Sequence, residues 1–320
     1  MPLAIEWSEG FFAYDENRIE LVFDGDPAGL VQCEIEIVRH DLEEGVRFCV
    51  RRDRKIVEYA LTIQDESAVF TRISGQEIIV RRARRERLLV DVFREDPPAV
   101  RFSDGSVLVG ADLAAPPPDD GAFFDPATLF ALDWAGVDIR KESQGPNRQD
   151  GTVQRFVIER LLSVEPQYDI IFDGDTSGEV ADIVAIRRQG RVLDVELYHC
   201  KFSADEKPGA RVKDLYEVCG QAMKSVRWAG PEKRFLAQMR RQEESRLEDT
   251  GQSRFQSGQM STLDDWISER REMTARFSVI IVQPGYSKAA AQAAHMPMLA
   301  SVSSYLMQTY GIRFGFWASL

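Results

Sequence analysis

The stretch LAAPPPDDGAFFDP, residues 113–126, limits the folds open to this chain more than any other. Proline fixes φ and lacks an N–H donor, so three in a row stop a helix or a sheet ladder. Asp-Asp-Gly directly behind them favours a turn. A chain of 320 residues has room for a hydrophobic core on each side of such a break. The reading that follows is a β-rich domain at 1–113, a linker at 114–121 and a second domain at 122–320.

Before the break, short alternating segments dominate: CEIEIVRH, VRFCVRR, KIVEYALTI, AVFTRIS, EIIVRRA and RLLVDVF. Period-two alternation between turn residues predicts antiparallel strands, in a sandwich or a partly open barrel. FSDGSVLVG predicts a hairpin with Asp-Gly at its tip. The basic run RRARRER, 81–87, reads as a solvated strand edge or turn in preference to a phosphate contact. This domain is expected to bind substrate or a partner, or to mediate oligomerisation.

After the break the period changes. DGTVQRFVIERLLSV places Val153, Phe156, Val157 and Leu161 on one helical face, with Asp150 or Thr152 as cap. YDIIFDGD, GEVADIVAIRR and RVLDVELYHCKFS predict three strands, the last two joined by a turn at RQGR. RVKDLYEVCGQAMKSVRW predicts a helix with Leu215, Cys219, Ala222 and Val226 inward. Residues 232–275 are charged, partly helical and expected at the periphery. RFSVIIVQPG predicts a strand, AAAQAAHMPMLASVSSYLMQTYG a helix interrupted at Pro297, and IRFGFWASL a final strand.

Composition excludes several classes. No apolar run approaches membrane-spanning length, and MPLAIEWSEGFFAYDENR lacks the basic start and apolar core of a secretion signal. Cys33, Cys49, Cys200 and Cys219 are scattered without a C-x-x-C pair, which fits a reducing cytoplasm and neither a disulfide framework nor a zinc site. Three histidines do not make a multi-histidine metal centre. A net charge of −12 argues against a broad basic surface for nucleic acid, though not against a basic groove around an acidic metal site.

Chemistry concentrates in two predicted strands. Asp182 sits among Val180, Val184 and Ile186, while His199 and Lys201 alternate with Leu193, Val195 and Leu197. A buried charge is costly unless paired or bound to metal. Strand periodicity puts His199 and Lys201 on one face, and Asp182 on the adjoining strand reaches the same end. Carboxylate plus lysine is what metal-assisted phosphodiester cleavage needs. The carboxylate, with the carbonyl between His199 and Lys201, holds a divalent ion that engages phosphate and acidifies water. The ammonium stabilises developing negative charge.

GEVADIVAI followed by VELYHCKFS resembles the core of the PD-(D/E)XK, restriction-endonuclease-like nuclease superfamily. Together with DWAGVDIRKESQG, PGARVKDLYEVCGQAMKSVRW and VIIVQPGYS, in that joint order, it resembles more narrowly the nuclease region that accompanies DEAD/DEAH-type helicases in bacterial proteins. The resemblance covers about residues 133–320. It implies an α/β restriction-endonuclease-like domain with a central mixed sheet. It also implies Mg²⁺- or Mn²⁺-dependent hydrolysis of nucleic acid, DNA in preference to RNA, in bacterial anti-phage defence. A separate helicase or ATPase subunit is the partner it suggests, since this chain carries no Walker motif.

Carried over by position, Asp182 is the metal-binding aspartate and Lys201 the catalytic lysine. The acid of the (D/E)-x-K motif falls at His199, so the motif reads His-Cys-Lys. Either His199 is itself a ligand, better suited to Mn²⁺ than to Mg²⁺, or Glu196 enters through a β-bulge. Glu179 and Glu142 are further candidate metal ligands, and Glu159 reads as a solvated helix residue. Gln221, Lys224 and Arg211 are candidate substrate-binding groups, Gln221 and Lys224 sharing a helical stripe with Glu217. A Gln-x-x-x-Tyr motif of one exonuclease branch is absent, because position 225 is Ser. The alternative function is a nuclease-fold protein that binds nucleic acid or a partner without cleaving. Endonuclease against exonuclease action, and homo-oligomerisation, stay open at this level.

Overall fold

The computed structural model describes residues 1–8, 11, 19–41, 45–65, 67–82, 85–114, 124–175, 179–229, 233–270, 272–291 and 293–320. The chain divides into two compact units, Met1–Asp120 and Gly121–Leu320. Most of the Pro-rich stretch read as a linker, residues 115–121, lies outside the described residues.

The first unit is β-rich. Its strands are β1 (Pro2–Glu6), β2 (Ile19–Phe23), β3 (Asp26–Gly29), β4 (Glu34–Asp41), β5 (Gly45–Arg52), β6 (Lys55–Gln64), β7 (Ser67–Ser74), β8 (Ile79–Arg82), β9 (Arg85–Leu88), β10 (Ala99–Phe102), β11 (Val107–Val109) and β12 (Asp112–Ala114). They form three four-stranded sheets, ordered β1-β10-β11-β12, β3-β2-β8-β9 and β4-β5-β6-β7. Their apolar faces meet in a shared core built on Phe48, Tyr59, Phe70 and Phe93. The Asp104-Gly105 turn joins β10 to β11, with Gly105 at φ 82°. One expected strand is a helix from its midpoint: RLLVDVF becomes α1 (Leu89–Glu95). Leu89, Val90 and Phe93 are buried at helical spacing while Arg94 pairs with Asp91 in solvent, so the period is 3.6 and not 2. Within the basic run, Arg81 pairs with Glu20 and Glu86, and Arg87 with Glu95.

The second unit carries a seven-stranded mixed sheet. Its strands are β13 (Phe130–Leu132), β14 (Ile170–Asp173), β15 (Ile183–Gln189), β16 (Val192–Cys200), β17 (Phe255–Ser257), β18 (Thr274–Ser287) and β19 (Arg313–Ser319). Their order is β13-β19-β18-β16-β15-β14-β17. The β14–β15–β16 strands pair antiparallel, and β16–β18, β18–β19 and β13–β19 pair parallel. The helices are α2 (Val153–Leu162), α3 (Val212–Lys224), α4 (Arg234–Thr250), α5 (Met260–Glu269) and α6 (Met296–Tyr310).

Helix α2 starts at Thr152, whose hydroxyl accepts the Arg155 N–H. It buries Val153, Val157, Ile158 and Leu161 against Ile171, Ile183, Ala185, Tyr198 and Cys200, each side chain contributing about 1.5–3 kcal/mol. Helix α3 packs on β18, and α6 on β19. Pro297 starts α6 and does not interrupt it, because the first helical turn has no N–H partner to lose. The charged stretch 232–275 is less peripheral than its composition suggests. It supplies α4, the edge strand β17 and α5, and buries Phe235, Leu236, Met239, Arg254 and Trp266.

Candidate metal centre

The antiparallel register of β15 and β16 builds the site. Ile183 lies opposite Tyr198, so Asp182, one residue before β15, falls beside His199. Both are buried, at 2% and 5% exposure. The Asp182 carboxylate accepts the Cys200 N–H through Oδ2 at 2.8 Å and the Gln154 amide through Oδ1 at 3.4 Å. His199 has the parity opposite to Tyr198 and Cys200, which pack toward α2. It reaches Ser225 at the end of α3, with Nε2 and Oγ 2.5 Å apart.

The second ring nitrogen decides what the site can do. His199 Nδ1 is buried and has no hydrogen-bond partner among the described residues. It lies 3.9 Å from Asp182 Oδ2, too far for a hydrogen bond. Glu179, Asp182 and His199 each bring one donor atom, and the three atoms lie within 4.8 Å of one another. A cation at their centre would be within reach of all three.

The electrostatics agree with that geometry. Burial pushes the Asp182 carboxyl well above the usual carboxylate range, and the charges of Glu179, Glu142 and Asp175 push it further. Burial, then the positive charges of Arg227 and Lys224, lowers the His199 imidazole to about 3. His199 is therefore neutral at physiological pH, and the Asp182–His199 contact is not an ion pair. A divalent ion placed among these groups would favour the ionised form of the Asp182 carboxyl against its burial.

Lys201 follows β16 directly, and its N–H still bonds the Val282 carbonyl. Its ammonium is 3.7 Å from Glu142 Oε2. Glu142 also accepts the Phe202 N–H at 2.9 Å, and burial raises its pKa against the opposing pull of Lys201. The segment bearing Glu142 is pinned to the start of α2 through Val153 N–H to Lys141 and Gln154 N–H to Glu142. Asp182, His199 and Glu179 thus form the inner group. Glu142 and Lys201 form an adjoining pair whose carboxylate acts on Asp182.

Glu196 is elsewhere. Its Oε2 accepts the hydroxyls of Tyr168 at 2.7 Å and Tyr198 at 2.6 Å. The bulge needed to swing it toward Asp182 is absent, because β16 pairs in unbroken register with β15 from Val192 to Tyr198 and with β18 from Val192 to Cys200. Arg211 is tied to its own loop through Ser203 and Asp205. Gln221 offers its backbone carbonyl to Ser225, while its side-chain Oε1 has no hydrogen-bond partner. Lys224 lies on the His199 side, where its charge is felt. The side chain of Glu217 lies outside the described residues. Glu159 pairs with Arg155 at the helix surface.

Several contributors escaped the sequence reading. Asp173, at the end of β14, is buried and held by Gln144 at 3.0 Å and Arg246 at 3.5 Å. Arg254 donates to the Asp173 carbonyl and Gln242 to the Gly174 carbonyl, so α4 and β17 brace the segment leading to Asp182. Arg227 donates to the Glu179 carbonyl at 3.0 Å. The acidic pair in FDGD was the available signal for Asp173 and Asp175, though it reads equally as a turn. No known protein family, curated protein or solved structure matches this chain. Among the described residues, no helix is long and apolar enough to cross a membrane.

Proposed function

We propose that this protein is a metal-dependent phosphodiesterase acting on nucleic acid. The observation that carries the reading is the buried Nδ1 of His199, which has no hydrogen-bond partner among the described residues and lies 3.9 Å from Asp182 Oδ2, in a residue grouped with Asp182 and Glu179. Without a hydrogen, that nitrogen offers a lone pair that fits a cation. The order helix, three antiparallel strands, helix (α2, β14 to β16, α3), followed after α4, β17 and α5 by the parallel strand β18, with Asp182 and Lys201 at one end of the sheet, supports the likeness to PD-(D/E)XK nucleases. DNA as the substrate and a place in anti-phage defence belong to the same likeness.

Asp182, Glu179 and His199 would hold the ion. Bound there, a divalent cation supplies Lewis-acid polarisation of phosphate and acidification of water. The residues around it have separable tasks. Gln154 and the Cys200 N–H orient the Asp182 carboxylate. Glu142 holds the Lys201 ammonium at 3.7 Å, keeping a proton-bearing positive charge beside the acidic group to meet an anionic substrate. The mixture of two carboxylates and one imidazole favours Mn²⁺ or a softer ion over Mg²⁺.

The test is incubation of the purified full chain with linear, circular and single-stranded DNA and with RNA, in Mg²⁺, Mn²⁺ or EDTA. Cleavage in Mn²⁺ that is abolished by EDTA and by Asp182→Ala is expected. Absence of cleavage with every substrate and metal would favour the non-cleaving binder. Cleavage that persists in EDTA would remove the metal from the mechanism.

A further inference from the structure

We propose that Ser225 is the positioning residue that commits His199 to the cation, by accepting the Nε2 hydrogen and so leaving Nδ1 as a lone-pair donor toward Asp182 and Glu179. The inference rests on the cation reading given above and deepens it.

A neutral imidazole carries one N–H, and the partner of one nitrogen fixes the role of the other. His199 Nε2 has Ser225 Oγ at 2.5 Å. The role of that hydroxyl follows from how α3 ends. Helix α3 tightens into a 3₁₀ turn at Ser225–Trp228. The Ser225 N–H turns to the Ala222 and Met223 carbonyls, which releases the Gln221 carbonyl that an α-helical turn would have bonded. The Ser225 hydroxyl takes over that carbonyl at 3.4 Å. A hydroxyl has a single hydrogen. With it directed at Gln221, the oxygen meets His199 as an acceptor, and Nε2 carries the proton.

Nδ1 is then a lone pair sealed from water and 3.9 Å from Asp182 Oδ2. The opposite tautomer would aim a hydrogen at Asp182 Oδ2 across 3.9 Å, gaining no hydrogen bond, and would strip the Gln221 carbonyl of its partner. It would also block the cation. Ser225 thus links the fraying of one helix to the donor chemistry of the site. It touches neither the cation nor a substrate, so its effect passes wholly through the ring of His199.

The proposal is tested on the metal-free, ¹⁵N-labelled full chain by long-range ¹H–¹⁵N imidazole spectra, with His199→Gln to assign the signal among three histidines. Mn²⁺ affinity is measured by calorimetry on the same samples. The expected result is an Nε2-protonated His199 in the wild type, lost or mixed in Ser225→Ala. Mn²⁺ binding should weaken about 10- to 100-fold in Ser225→Ala, the usual cost of removing such a partner. Ser225→Thr, which keeps the hydroxyl, should restore both. An Nδ1-protonated wild type, or Ser225→Ala binding Mn²⁺ within twofold of wild type while His199→Gln does not bind, overturns the role of Ser225 and leaves the cation reading standing. A wild type that binds no Mn²⁺ but shows the Ser225-dependent tautomer overturns the cation reading, and with it the purpose assigned to Ser225.

Discussion

Asp182→Asn should make the metal-free protein more stable while destroying its response to metal. The carboxylate is buried, and a Glu179 oxygen lies within 4.8 Å of it. Two unit charges at that separation repel by roughly 1 kcal/mol in water and about 3.5 kcal/mol at the effective dielectric of a protein site. The fold bears this cost at pH 8 either as repulsion or as a proton held against solvent. Asparagine bears neither, and its oxygen still accepts the Cys200 N–H. A gain of about 1–3 kcal/mol is therefore expected for Asp182→Asn in EDTA. The sign with pH follows from the raised carboxyl of Asp182. Its stabilising contribution is intact at low pH and is lost as pH rises from the ordinary carboxylate range through the raised value. The advantage of the variant should accordingly shrink toward zero near about pH 4. Mn²⁺ should reverse the ranking, since an ion at 100 times its dissociation constant adds about 2.7 kcal/mol to the wild type alone. Urea denaturation of the full chain followed by tryptophan fluorescence measures this, because four of the five tryptophans, Trp134, Trp228, Trp266 and Trp317, lie in the second unit. A variant less stable than wild type in EDTA at pH 8, or equal stabilisation of both proteins by Mn²⁺, would refute the reasoning.

Three further outcomes are expected. Gly174→Ala drives a Cβ into the Ala181 carbonyl oxygen, so the segment carrying Asp182 must shift; denaturation should show a loss of about 2–3 kcal/mol and calorimetry a weaker Mn²⁺ site. Glu196→Gln should leave Mn²⁺ affinity within twofold and cost about 1–2 kcal/mol through Tyr168 and Tyr198, and a large loss of metal affinity would put Glu196 back in the site. Lys201→Ala should lower cleavage at saturating Mn²⁺ by about 100-fold or more without weakening Mn²⁺ binding, measured by single-turnover assay and calorimetry.

Local periodicity made much of the second unit legible. The run from Val279 to Val282 is apolar without alternation because β18 is flanked by β16 and β19 and covered on its faces. Val153, Val157 and Leu161 recur at helical spacing, and they are the buried face of α2. What escaped depends on contacts between distant segments. Phe255 to Ser257 is too short to announce a strand, and becomes one only by pairing with Ile171 and Phe172. Arg254 looks solvated in the sequence, yet Asp173 and Gln242 accept its hydrogen bonds in the interior. Leu89 to Phe93 satisfied two periods at once, and packing chose the helix. In the site, parity along β16 was enough to separate His199 from Tyr198. Ser225 was visible only as a residue that is not tyrosine, since its meeting with His199 depends on where α3 tightens.

The account stands on an ion held by Glu179, Asp182 and His199. Anomalous diffraction at the manganese edge from Mn²⁺-soaked crystals of the full chain tests it most directly. A single strong peak in coordination contact with His199 Nδ1 and with a carboxylate oxygen from each of Asp182 and Glu179 is expected. Density for Mn²⁺ only at surface carboxylates, with His199 Nδ1 still bare, would contradict it.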